Sequence, residues 1–133
     1  MKDRITEILD ESRTIAVVGL SPNSERPSYQ VAQYLQERGY HIIPVHPKAQ
    51  TILGEKVYAS LDEIPESIDI VDVFRKSEDT PPVAEAAVRV GAKTLWLQLG
   101  IQNEVAEAIS EAGGLNFVQN RCIKIEHQKR AEG

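Results

Sequence analysis

Short hydrophobic runs recur along the chain and predict the strands of one sheet. The strongest lie at residues 14–20, 41–45, 68–74 and 94–99, and a shorter run follows at residues 115–118. Nearly continuous β-branched runs, such as residues 14–20, are typical of strands that are covered on both faces. A further short extended piece, with a turn at Gly54, is predicted within residues 52–57.

Helical periodicity lies between these runs. Apolar residues spaced three and four positions apart predict helices at residues 3–11, 29–38, 80–90 and 104–112, with a helical turn or two at residues 122–128. Ser28 is predicted to cap the helix at residues 29–38, and Gly39 to end it. This alternation predicts a single α/β domain over residues 1–133, with a doubly wound parallel sheet of about five strands and helices on both faces.

Composition and charge exclude several classes of protein. Of the 133 residues, 26 % are charged and 41 % hydrophobic, which is ordinary for a globular domain. The net charge of −5 argues against a nucleic-acid partner, which needs a basic face. Cys122 is the one cysteine, so an internal disulfide is excluded and a reducing cytoplasm is expected. Neither a secretory signal nor an apolar run of about 20 residues is visible, so no membrane location is expected.

Candidate binding residues follow the predicted strands, because ligands of open parallel sheets bind beyond the carboxyl ends of the strands. Hydroxyl groups and cations are frequent there and carboxylates are scarce, a composition that suits a phosphate ligand. Residues 15–28 read as a strand, a turn and a helix start, where unpaired backbone amides favour an anion.

The motifs decide only in part which phosphate ligand this is. The turn at Gly19 lacks the second and third glycines of the dinucleotide fingerprint, and no acidic residue follows the second strand to hold a ribose. The Walker pattern is also absent. Lys48, which follows the second predicted strand, favours a phosphorylated ribose. NADP and coenzyme A (CoA) both contain one and remain as alternatives.

Six ordered motifs resemble those of the small stand-alone CoA-binding proteins, which are similar to the CoA-binding domain of the succinyl-CoA synthetase alpha subunit. The motifs are VVGLS at residues 17–21 with RPS at 26–28, IPVHP at 43–47, Gly54, VDVFR at 71–75, WLQLG at 96–100 and NRC at 120–122. The resemblance covers residues 12–127 and implies a Rossmann-like fold that binds CoA or an acyl-CoA.

The resemblance also implies roles for individual residues. Those expected at the pyrophosphate are Gly19, Leu20, Ser21 and Arg26. Lys48 is expected near the ribose phosphate, and Val45, Phe74 and Arg75 beside the adenine or the pyrophosphate. Gln98 and Gly100 are expected to face the pantetheine arm. His46 stands where the family usually has asparagine, so it is included in the site as a hydrogen-bonding residue that could make binding pH-sensitive.

Several of these side chains also have a purely structural interpretation. Arg75 could pair with Glu78 or Asp79, and Phe74 and Trp96 are expected to pack in the core. His41 and His127 have no clustered partner, so no metal site is predicted. Cys122 is read as a small buried residue, and Asp69 and Asp72 as structural.

The preferred hypothesis is a binding module that holds CoA or acyl-CoA without catalysis of its own, since no base, nucleophile or metal cluster is apparent. A small NADP-dependent oxidoreductase is the first alternative. The second is a subunit that supplies the CoA site to a larger acyl-CoA enzyme, which an exposed apolar patch would favour. Homo-oligomer formation is left open.

Overall fold

The computed structural model describes residues 3–132 of the chain, with side chains for residues 3–130. The helices are α1 (Arg4–Glu11), α2 (Pro27–Glu37), α3 (Thr80–Arg89), α4 (Glu104–Ala112) and α5 (Ile123–Glu132). The strands are β1 (Thr14–Val18), β2 (His41–Val45), β3 (Thr51–Ile52), β4 (Glu55–Lys56), β5 (Ile70–Val73), β6 (Thr94–Leu97) and β7 (Asn116–Val118). Short 3₁₀ turns lie at Leu61–Glu63 and Ser77–Asp79.

Five of these strands form one parallel sheet in the order β2-β1-β5-β6-β7. The chain leaves β1 through α2 to the edge strand β2, then returns past β1 to pair β5 with its other side. The strand order therefore reverses between β1 and β5, which is the place where ligands bind in doubly wound sheets. The remaining two strands, β3 and β4, form a small antiparallel hairpin.

Helices cover both faces of the sheet, as predicted. Side chains of α1, α2 and α5 pack with alternate residues of the strands in one buried cluster that includes Ile15, Val17 and Trp96. Side chains of α3 and α4 pack against the opposite face in a second cluster that includes Val71 and Leu95. The buried strand residues on both faces explain the nearly continuous apolar runs.

The structure corrects two details of the predicted helices. Ser28 does not cap α2: the helix begins at Pro27, its N-cap is Arg26, and no side chain caps it. Proline fits the first helical position because its φ angle is already helical and it lacks an N–H group. At the other end of the chain, α5 continues to Glu132, past residue 128, where the predicted helical turns end.

Hydropathy gives a further result for residues 3–132: no helix there combines the length and the apolar character that crossing a bilayer requires.

Candidate functional site

A cavity of about 540 Å³ lies at the carboxyl ends of β1 and β5, where the strand order reverses. Its volume is in the range of small-molecule binding sites. Three segments of the chain meet there: the turn after β1 with the start of α2, the loop after β2, and the end of β5. The lining residues are Gly19, Ser21, Arg26, Pro27, Ser28, His46, Pro47, Phe74 and Arg75.

Gly19, directly after β1, lines this cavity where the chain passes close to the ends of β2 and β5. Its φ angle is +87°, and a Cβ atom at this position would overlap the carbonyl oxygen of Phe74. The Gly19 N–H donates to the Val45 carbonyl at 3.2 Å, and the Phe74 N–H donates to the Val18 carbonyl at 2.9 Å. Glycine is therefore required by the close approach of two backbones as well as by the backbone angle.

The turn after β1 is held by short-range hydrogen bonds. The Ser21 hydroxyl oxygen accepts the Asn23 N–H at 3.0 Å, and the Asn23 side chain accepts the Glu25 N–H at 2.9 Å. The Ser28 hydroxyl oxygen accepts the Ser21 N–H at 3.0 Å, which ties the turn to α2. The hydroxyl protons of Ser21 and Ser28 face no acceptor among the described residues, so both groups can donate to a ligand.

The first turn of α2 makes this end of the cavity electropositive. It has no side-chain cap and no acidic residue, so its backbone amides and the helix dipole act on whatever lies beyond Arg26. Across residues 3–130, the side chains of Arg26 and Arg75 form no ion pair, and the alternative pairing of Arg75 with Glu78 or Asp79 is not made. Two arginines without carboxylate partners beside free amides suit a multiply charged anion.

His46 shapes the loop after β2. Its Nδ1 atom accepts the backbone N–H groups of Lys48 and Ala49, both at 3.0 Å. A ring nitrogen that accepts hydrogen bonds carries no proton itself, so these two contacts use Nδ1 as the acceptor and leave Nε2 free of this role. An asparagine side chain makes the same kind of bond in Asx turns, which explains how either residue type can hold this loop.

The other predicted site residues lie elsewhere. The side chain of Leu20 is buried in the core. The side chain of Val45 is also buried, but it lines a small separate cavity of about 160 Å³ together with Arg75. Lys48 is exposed and does not line the cavity. Gly100 is in the turn after β6, where its N–H donates to the Asn120 side chain at 2.7 Å. No group of three potential metal ligands occurs within residues 3–132.

A second cavity, of about 300 Å³, adjoins the first and shares Pro27 and Phe74 with it. Its wall is mostly apolar and includes Gln98 and Leu99, which directly follow β6, Cys122 just before α5, and Ile125 in the first turn of α5. The lining residues are Pro27, Val31, Phe74, Gln98, Leu99, Ile101, Cys122 and Ile125. Gln98 therefore lies next to, but not in, the electropositive cavity.

Sequence reasoning did not assign several lining residues to the site, among them Ser28, Pro27 and Cys122. The sequence predicts a helix cap at Ser28, yet its hydroxyl belongs to the cavity wall. The RPS and NRC motifs were the available signals, but neither shows which way a side chain points. The prediction that Trp96 packs in the core is confirmed, and its Nε1–H donates to the Arg121 carbonyl at 2.8 Å.

Comparison with known proteins identifies the family. Residues 13–128 match the family model described as a CoA binding domain. The chain belongs to the CoA-binding domain family. The small relative YneT of Bacillus subtilis is 44 % identical over 126 residues, which cover 95 % of this chain and 93 % of that protein.

A solved structure and a larger enzyme are also similar to this chain. The structure of a hypothetical protein of Pyrococcus horikoshii is 41 % identical in sequence and superimposes with a TM-score of 0.93. The match covers 96 % of this chain and 89 % of the Pyrococcus chain. An ADP-forming acetate–CoA ligase II of Archaeoglobus fulgidus is 29 % identical over 83 residues, which span 61 % of this chain and 12 % of the ligase. The Rossmann-like α/β fold and the relation to the CoA-binding region of such ligases follow.

Proposed function

We propose that this chain binds CoA or an acyl-CoA through the turn after β1 and performs no chemical step itself. The observation that carries the proposal is the convergence, on one cavity, of the uncapped first turn of α2 with Arg26 and Arg75. In this proposal the amides and both guanidinium groups bind the pyrophosphate. Lys48, in the loop after β2, would reach the ribose phosphate from outside the cavity wall.

The absence of catalysis is proposed from the surroundings of the reactive groups. The Ser21 and Ser28 hydroxyls line the cavity, but within residues 3–130 neither is hydrogen-bonded to a histidine or a carboxylate that could activate it. His46 uses Nδ1 to hold its own loop. These groups suit binding better than hydride transfer or hydrolysis, and the single cysteine agrees with action in the cytoplasm.

Thermal denaturation with added ligand tests the choice of CoA. A ligand that binds only the folded chain stabilises it by about 2.7 kcal/mol when present at about 100 times its dissociation constant. CoA is expected to raise the melting temperature at millimolar concentration, and NADPH is expected to have little effect. A shift with NADPH and none with CoA would contradict the proposal and favour the oxidoreductase.

Arginine variants test where the phosphates lie. Arg26→Ala and Arg75→Ala are each expected to weaken CoA binding by about 1.5–3 kcal/mol, which is the usual contribution of a hydrogen bond to a charged group. Arg89→Ala makes the same change in net charge at a surface residue that pairs with Asp62 and does not line the cavity. Calorimetric titration should show unchanged affinity for this control. If all three variants bind CoA with the same affinity, the assignment of Arg26 and Arg75 to the phosphate site is contradicted.

A second candidate function is that of a subunit that supplies the CoA site to a larger acyl-CoA enzyme. It is favoured by the exposed apolar side chains Leu99 and Ile125, which are 64 % and 44 % exposed beside the second cavity. A ligase variant that lacks its own CoA-binding region should regain activity on addition of this chain if the second candidate is correct.

A further inference from the structure

The second cavity has the composition of an apolar pocket with one polar anchor. Seven of its eight lining residues are hydrophobic, proline or cysteine, and the eighth is Gln98. Because Pro27 and Phe74 line both cavities, the apolar space begins where the electropositive space ends. A ligand with a phosphate end and an apolar end could therefore occupy both at once.

Gln98 is the polar anchor of this space. Its side chain is fixed because Oε1 accepts the Ile123 N–H at 3.1 Å, at the start of α5. The residue is only 4 % exposed, and its Nε2 amino group donates to no partner among the described residues. Nε2 keeps contact with the space of the cavity, so a ligand or water there can accept its unused hydrogen bonds.

We propose that the second cavity receives the thioester and a short aliphatic acyl chain of an acyl-CoA, with the Gln98 amide donating to the thioester carbonyl. The proposal rests on the proposed function, because the electropositive cavity must hold the phosphates of the same molecule. It adds a preference that the phosphate site cannot supply: the chain binds acyl-CoA more tightly than free CoA.

The concave shape and the Gln98 donor favour an acyl group over a protein partner. A docked protein surface would cover the exposed side chains Leu99 and Ile125, but it would leave the Gln98 donor inside the cavity to water. An acyl thioester provides a carbonyl oxygen next to a hydrocarbon chain, which matches the donor and the apolar wall together.

Calorimetric titration with CoA, acetyl-CoA, butyryl-CoA and hexanoyl-CoA tests the proposal. Affinity is expected to rise from CoA to butyryl-CoA, by up to roughly fourfold for each methylene group that leaves water. The rise should stop once the chain extends beyond the cavity. If CoA and all three thioesters bind with one affinity, the acyl site is overturned while the proposed function stands. If none of the four binds, both are overturned.

A matched pair of surface variants locates the effect. Leu99→Ala removes an exposed side chain from the cavity wall and is expected to flatten the dependence on chain length, with CoA affinity retained. Val105→Ala removes a similarly exposed side chain, 57 % exposed on α4, that does not line the cavity, and should leave that dependence unchanged. An unchanged dependence in Leu99→Ala would overturn the proposal. If sedimentation also shows that the natural chain self-associates and Leu99→Ala does not, the face belongs to contacts between copies of the chain.

Discussion

At the residue scale, Gly19 and His46 bring three loops to one cavity by backbone geometry. Gly19 permits the end of β1 to touch the end of β5, and the ring of His46 closes the loop after β2. Neither residue needs charge for this role. In the proposed binding site, they would position the backbone amides and the side chains of Arg26 and Arg75.

Replacing Gly19 should damage both stability and the site. Gly19→Ala is expected to lower the free energy of unfolding by about 2–4 kcal/mol, because the strained backbone angle is combined with an overlap with the Phe74 carbonyl. Gly39→Ala is the control, since Gly39 has a φ angle of +97° but open space where a Cβ atom would lie. That variant should lose only about 1–2 kcal/mol. Equal losses in urea denaturation would contradict the overlap argument.

Replacing His46 separates its hydrogen-bond role from its charge. His46→Asn supplies another acceptor for the Lys48 and Ala49 N–H groups, so CoA affinity at neutral pH should change by less than about threefold. His46→Ala leaves both amides without their acceptor and should lower stability by about 1 kcal/mol and CoA affinity with it. The measurement is calorimetric titration beside thermal denaturation. Affinity lost equally in both variants would indicate that the ring itself contacts the ligand.

At the element scale, β5 contains a buried carboxyl group, that of Asp72, and follows directly after a second carboxyl group, that of Asp69, which is hydrogen-bonded. Asp72 lies between Val17 and Trp96 in the sheet register and is fully buried, and neither of its oxygens has a hydrogen-bond partner among the described residues. Burial raises its pKa well above the ordinary value of 3.8. Asp69, just before the strand, accepts the N–H groups of Arg13 and Thr14 at 2.8 and 3.0 Å. Burial opposes its charge, but these bonds and Lys93 outweigh it and lower its pKa.

The two aspartates should respond in opposite directions to the same substitution. Because folding raises the pKa of Asp72, this carboxyl group contributes a stability that is fully present below pH 3.8. That contribution is lost as the pH rises through the pKa of the folded chain. Asp72→Asn removes this loss and should raise the free energy of unfolding at pH 7 by about 1–3 kcal/mol. Asp69→Asn removes a paired carboxylate and should lower it. Urea denaturation at pH 5 and pH 7 measures the stability of both variants. A lower stability of Asp72→Asn than of the natural chain at pH 7 would disprove the unfavourable burial of Asp72.

At the scale of the whole molecule, α5 completes the face of the sheet that also forms the second cavity. It contacts α1 and α2, and His127 lies at this junction. Arg130 donates to His127 Nε2 at 2.8 Å, so the ring proton is on Nδ1, and Nδ1–H donates to the Tyr34 hydroxyl oxygen at 2.7 Å. Arg130 also pairs with Asp10 of α1 at 2.8 Å. The neutral ring therefore joins three helices.

This junction predicts lower stability in mild acid. Burial, followed by the charges of Arg130 and Arg38, lowers the pKa of His127 below its ordinary value of 6.5. A lowered folded-state pKa contributes stability that is present above pH 6.5 and is lost as the pH falls through the folded value. The loss between pH 7.5 and pH 5.5 should be smaller in His127→Gln than in the natural chain. An identical loss would show that another group controls the acid sensitivity.

Hydrophobic periodicity was enough to predict the sheet, the helices and the placement of candidate residues after the strands, because these patterns follow from which positions must be buried. Gly19 and the cations near it were also visible, since a turn between a strand and a helix has its own residue preferences. The roles of Ser28, Gln98 and Asp72 were decided only by the tertiary structure. Each depends on which distant segment its side chain meets, such as α5 for Gln98, and on whether that segment offers a hydrogen-bond partner. Local sequence determines burial and backbone form, whereas the partners of a polar side chain arise from long-range packing.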